Sequence, residues 1–140
     1  MSADHQHKIE LAGVHQVDQI WPMVSWGMEN ACRRSGGDMT ADYLWSECRS
    51  GKAFLVIVTQ GKEILAASVW RFEAWSTGRK LRCLGMYGMK MKQWLEDHRA
   101  FTLSMARVGG ATSLVTDGRL GWERIFPQAR VLRQTYEIEI

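Results

Sequence analysis

The chain has 140 residues and a mass of 16.0 kDa, the length of one ordinary domain. Hydrophobic residues at 46% and charged residues at 24% lie near the globular average, which excludes a disordered, collagenous or simple repeat chain. Eighteen Lys and Arg against fifteen Asp and Glu leave a formal +3, too small to mark a nucleic-acid protein and enough only for mild steering of an anionic ligand.

The opening MSADHQHKIE is polar, is no signal peptide, and reads as mobile through residue 7. Residues 8–11 alternate and form an expected first strand. Val17, Ile20, Trp21, Val24, Met28 and Cys32 then recur at spacings of three and four, one apolar face of a helix. Asp18 is its expected N-cap, with Pro22 near the first turn, where a missing N–H is tolerated best. Arg33 and Arg34 suit the C-terminal end of the dipole, and Ser35-Gly36-Gly37 stops the helix. Thr40 is the expected N-cap of a second helix, with Met39 and Leu44 as its hydrophobic staple and Gly51 as its end. A meander follows: strands over residues 53–59, 64–72 and 80–87, joined by turns at 60–62 and 76–78. From about Met91 the period returns to 3.6, and Trp94, Leu95, His98, Phe101, Thr102, Met105 and Val108 share one face of a long helix ended by Gly109-Gly110. Residues 111–116 read as a buried strand. Residues 117–126 read as a turn and a short helix stopped by Pro127. The last segment alternates, Leu132, Tyr136, Ile138 and Ile140 facing one way and Arg133, Thr135, Glu137 and Glu139 the other.

The resulting order, β-α-α-β-β-β-α-β-α-β, with no repeat or linker, calls for one α/β (α+β) domain over residues 1–140: a single mixed sheet with helices on both faces. No apolar run reaches about 18 residues, so no membrane span is expected. Cys32, Cys48 and Cys83 are odd in number and form no CxxC pair, which fits buried reduced thiols and a cytoplasmic protein. Most of the seven tryptophans are expected in the core, and the remainder are available to a binding surface. His98, on the apolar face of the long helix, reads as a satisfied buried histidine. His5 and His7 lack an evident third ligand, so no metal site is expected. There is no Gly-x-Ser-x-Gly elbow, Walker loop or dinucleotide fingerprint.

The element order is that of the GNAT acyltransferase fold. Ala106-Arg107-Val108-Gly109-Gly110-Ala111, Leu114-Val115, residues 118–124 (Gly-Arg-Leu-Gly-Trp-Glu-Arg) and Tyr136-Glu137 resemble small GNAT-like proteins found among bacteriophage and prophage genes. So does Gly85-Met86-Tyr87-Gly88-Met89 followed by Gln93-Trp94-Leu95. The resemblance implies a sheet that splays at its central strands and holds acetyl-CoA in the split, the pyrophosphate on backbone N–H groups at the start of the long helix. The implied cofactor-binding residues are Gly85, Met86, Tyr87, Gly88, Met89, Lys90 and Lys92. The glycines at 85 and 88 allow close backbone approach. Lys90 and Lys92 stand against the helix dipole, which points either to a bound anion or to a solvated first turn with Lys92 beside Glu96.

The chain departs from the family pattern in ways that bear on catalysis. The usual phosphate loop (Arg or Gln, two residues, Gly, one residue, Gly or Ala) is absent, and residues 88–93 read Gly-Met-Lys-Met-Lys-Gln. Acyl transfer to an amine requires a base for the amine and an acid for the thiolate. The central strand lacks a carboxylate. Glu73 is the nearest candidate base, or else a plain strand-end charge, and Tyr87 the candidate acid. Trp122 falls where the family places a Tyr, and indole cannot supply a proton. Arg119, Trp122 and Arg124 form either a contact surface or a helix staple with solvated arginines. Two functions remain open. One is an acetyl-CoA-dependent transferase. The other is a non-catalytic module with a protein partner or homo-oligomeric interface, such as a phage morphogenesis or virion-associated accessory, with the host cytoplasm or the virion as its place.

Overall fold

The computed structural model describes residues 6–117 and 126–140. The first strand, β1 (His7–Ala12), is followed by a 3-10 turn (Val14–Gln16), α1 (Val17–Arg34) and α2 (Ala41–Arg49). Next come β2 (Phe54–Gln60), β3 (Glu63–Trp75), β4 (Gly78–Gly88), α3 (Met91–Val108) and β5 (Ser113–Thr116). The strands form one sheet in the order β1-β2-β3-β4-β5, antiparallel except for the parallel pair β4–β5.

Alternation along the strands divides the core between the two faces of the sheet. On one face the α1 stripe of Val17, Trp21, Val24, Met28 and Cys32, together with Leu44 and Cys48 of α2, packs on Leu55, Ile57, Ala67, Val69 and Leu84. On the other face Trp94 and Ala106 of α3 pack with Val56, Val58, Leu65, Trp70 and Leu81. The expected single mixed sheet, covered by helices on both faces, is therefore what these residues build.

Local signals set most boundaries. Thr40 caps α2, its Oγ1 accepting from Tyr43 N at 3.1 Å, and Met39 packs with Leu44 as a staple should. Gly61 supplies the positive φ that the turn between β2 and β3 requires. Several boundaries differ from the sequence reading, β4 and β5 among them, at Gly78–Gly88 and Ser113–Thr116. His7 is in β1 opposite Gln60 and bonds Asp97 through its ring at 2.7 Å, so the mobile start does not extend to it. Asp18 is not the cap of α1. The 3-10 turn carries the chain into a helix that begins at Val17, which places Asp18 in the first turn and Pro22 inside the helix. β3 runs on to Trp75, because Arg71, Glu73 and Trp75 form a hydrogen-bonded polar ladder that needs no apolar cover. The last segment forms no strand: residues 126–140 carry no ladder, and Leu132, Tyr136, Ile138 and Ile140 are exposed. Alternation specifies a strand only where an edge is at hand to pair with. The expected short helix falls largely on residues 118–125, outside the described residues, as do His5, Arg119, Trp122 and Arg124.

Candidate active site

β4 and β5 stay together for four rungs, from Lys80↔Ser113 to Cys83↔Thr116. At the end of that ladder β4 carries one extra residue: Val69 opposes Gly85 and Trp70 opposes Cys83, so Leu84 is a bulge. A bulge sharpens local twist and often marks where pairing ends. Beyond it β4 continues to Gly88 with no partner from β5, and a cavity of about 350 Å³ opens in the gap. One wall is α1, through Trp26, Gly27 and Arg34. The other wall is the last third of β4 with Met89 and Met91, and Asp117 also lines the cavity.

Of the residues singled out from sequence, Gly85, Met86, Tyr87, Gly88 and Met89 all line this cavity. Lys90 and Lys92 lie beside it on the first turn of α3, exposed and, among the described residues, without ion-pair partners. Lys90 is the N-cap of α3 and adopts the left-handed region at φ 58°, and no side chain caps the helix. The first turn holds no acidic residue, so its dipole faces outward unopposed.

Each glycine of the site makes room for a side chain. A β-carbon at Gly88 would meet Trp94 Cζ2 at 2.6 Å and Ala66 Cβ at 2.8 Å. One at Gly85 would meet Leu44 Cδ1 at 3.0 Å. Across the cleft, one at Gly27 would meet the Tyr87 ring at 2.5 Å. Gly27 thus lets α1 come down on Tyr87, whose ring also lies 5.3 Å from that of Trp26. Burial pushes the Tyr87 phenol above its usual pKa, so it holds its proton.

Glu73 is elsewhere. It does not line the cavity, and it accepts from Arg71 Nη2 at 2.8 Å and from Trp75 Nε1 at 3.0 Å, with Arg82 at 3.5 Å. Partial burial opposes ionisation, but the Trp75 and Arg71 hydrogen bonds and the Arg82 charge outweigh it and hold this carboxyl below its ordinary range. Arg71 also donates to Glu47 Oε1 at 2.8 Å, and Arg82 also pairs with Asp117. A charge ladder therefore runs from Glu47 on α2 through Arg71, Glu73 and Arg82 to Asp117 at the cleft. Asp117, not Glu73, is the carboxylate that the fold brings to the cavity, and the sequence reading passed over it.

The face behind the cleft carries a separate polar cluster. His98 Nε2 lies 2.9 Å from Ser68 Oγ, which accepts from Trp70 Nε1 at 2.8 Å. His98 is 3% exposed, and burial lowers its pKa to about 4. It is the satisfied buried histidine that its helix position suggested. Among the described residues no group of His, Cys, Asp and Glu could hold a metal ion, and no helix is long and apolar enough to cross a membrane.

No family model matches the chain, and no curated protein matches its sequence. Solved structures do match in shape. A GCN5-related N-acetyltransferase from Ralstonia eutropha superposes with a TM-score of 0.67 at 13% identity, over 95% of this chain and 99% of its own. A ribosomal-protein-alanine N-acetyltransferase from Brucella melitensis superposes with a TM-score of 0.66 at 11% identity, over 96% of this chain and 99% of its own. A predicted acetyltransferase with acetyl-CoA from Clostridium acetobutylicum gives a TM-score of 0.63 at 10% identity, over 96% of each chain. At these identities the likeness is one of fold. The fold is that of the GNAT acetyltransferases.

Proposed function

We propose that this protein is an N-acyltransferase that takes acetyl-CoA in the cleft between β4 and β5 and passes the acetyl group to an amine. The observation that carries the reading is the coincidence at one place of the end of the β4–β5 ladder, the outer edge of β4 beyond it and the start of α3, which no side chain caps and whose two lysines have no ion-pair partner among the described residues. An extended, amide-bearing arm could add to the free edge over residues 84–88 as a strand would. Phosphates would fall at the start of α3, where N–H groups, dipole and the Lys90 and Lys92 charges agree in sign.

Bound acetyl-CoA supplies an activated thioester carbonyl. The amine forms the new C–N bond as the C–S bond breaks, which leaves one proton to remove and one to deliver. Tyr87, protonated and in the cleft, suits the delivery to sulfur. Asp117 suits the amine, whose charge it would first attract. Glu73 acts through Arg82, whose guanidinium it shares with Asp117, and is a positioning residue.

Calorimetric titration with acetyl-CoA, with desulfo-CoA and ATP as controls, tests the reading. The expected result is saturable binding with Kd in the range of about 1–100 µM. Lys90→Glu should weaken it about tenfold, and Tyr87→Phe should leave it intact while slowing turnover. Flat heats at millimolar acetyl-CoA would overturn the proposal.

A second reading is favoured by Met89 and Met91 in place of the small residues of a phosphate loop, and by the ion pairs that fix Glu73. In it the fold serves as a non-catalytic binding or assembly module, for example in virion assembly, and amine screens with acetyl-CoA return no turnover.

A further inference from the structure

Residues 131–140 form a strand sequence without a strand. Val131, Leu132, Tyr136, Ile138 and Ile140 are exposed, Tyr136 at 79% and Ile138 at 85%, and no ladder among the described residues involves them. Its Arg133 guanidinium lies 5.8 Å from the Trp75 ring. Trp75 is the last residue of β3, opposite Gly78, at the end of the sheet. β5 begins two rungs further in, at Ser113 opposite Lys80. The segment is therefore anchored at the rim of the sheet, where another molecule can reach it, and an exposed unpaired segment of this kind is a template for strand pairing.

Its own sequence is self-complementary. Aligned antiparallel to a copy of itself about Tyr136, it sets Arg133 opposite Glu139 twice and Leu132 opposite Ile140 twice, with the two Tyr136 side chains face to face. Because 132, 134, 136, 138 and 140 share a side, Leu132, Tyr136, Ile138 and Ile140 of both copies fall on one face and the Arg–Glu pairs on the other. A two-fold axis through Tyr136 generates this arrangement, which makes it isologous and closed.

We propose that a second copy of this chain is the partner of residues 131–140, through a two-stranded antiparallel ribbon in the register Arg133↔Glu139. A lone two-stranded ribbon is marginal in water, so the dimer should be weak, with Kd in the micromolar range.

Sedimentation velocity on the full chain from about 1 µM to about 500 µM tests it. The wild type should move from monomer to dimer over that range. Arg133→Glu and Glu139→Arg, each of which sets like charges opposite one another twice, should each weaken association about tenfold. The double variant Arg133→Glu/Glu139→Arg restores opposite signs and should recover the wild-type isotherm. These side chains lie outside the core, so unchanged circular dichroism is expected for all three. A wild type that stays monomeric to about 500 µM, a dimer indifferent to either single change, or a double variant as weak as the singles would each overturn the proposal.

Discussion

Lys90 is the one non-glycine residue with positive φ among those described. A β-carbon in the left-handed region costs roughly 1–2 kcal/mol, and such strain persists where the surroundings over-determine it. Glycine would relieve the clash but gain freedom in the unfolded chain, which offsets part of the benefit. Lys90→Gly should therefore raise stability in urea denaturation by about 0.5 kcal/mol and at the same time weaken acetyl-CoA binding severalfold. Opposite movement of the two quantities would mark Lys90 as retained for its ligand. A loss of stability would show that the lysine supports the fold instead. His98 gives a different signature. Folded, it is held neutral with a pKa lowered to about 4, whereas in the unfolded chain it titrates near 6.5. Between those values the unfolded chain binds a proton that the folded chain refuses. Stability should thus fall as pH drops from 6.5 to 4, by up to about 1.4 kcal/mol per pH unit, and this group should contribute no slope above that window. In His98→Gln the slope over that window should flatten. A slope unchanged by the substitution would assign it to other groups.

At the scale of elements, the contact between α1 and β4 shapes the cleft. Gly27→Ala would place a methyl 2.5–2.6 Å from three atoms of the Tyr87 ring, none of them the far end of a flexible chain. Either the ring leaves the cleft or α1 lifts from the sheet. The expected loss is about 1–3 kcal/mol, read as a lower thermal midpoint, together with weaker acetyl-CoA binding. A variant as stable as wild type would mean that α1 does not rest on Tyr87. The helices were legible because their signals are local: the three-four spacing of α1, the Thr40 cap of α2 and the Gly109-Gly110 stop of α3. The extension of β3 was not, because Arg71, Glu73 and Trp75 look like a solvated strand end until Arg82 and Glu47 arrive from elsewhere in the sequence. The reverse holds at 131–140, where a clean alternation announces a strand and the segment pairs with none of the sheet's edges.

At the scale of the whole molecule, the site was half legible. Gly85 to Met89 are contiguous, so the resemblance to the GNAT turn picks them out together with the turn that follows. Trp26 and Gly27 on α1 and Asp117 after β5 enter the same cavity only because the sheet parts at the Leu84 bulge, and register is a non-local property. For the same reason the sequence points to Glu73, while the fold brings the Asp117 carboxylate into the cavity. Cys83 lines the cavity too, at the point where the strands part. Burial pushes its thiol up to about 12, although a backbone hydrogen bond at Gly85, the Thr116 hydroxyl and the Arg82 charge pull the other way. Were acetyl-CoA bound along β4 as proposed, a thiolate on this strand would compete for its acyl group. Kept protonated, it is a poor nucleophile. On the proposed function, a protonated Cys83 leaves the acyl group to pass directly between two substrates bound together, a ternary complex, with no covalent acyl-enzyme stage.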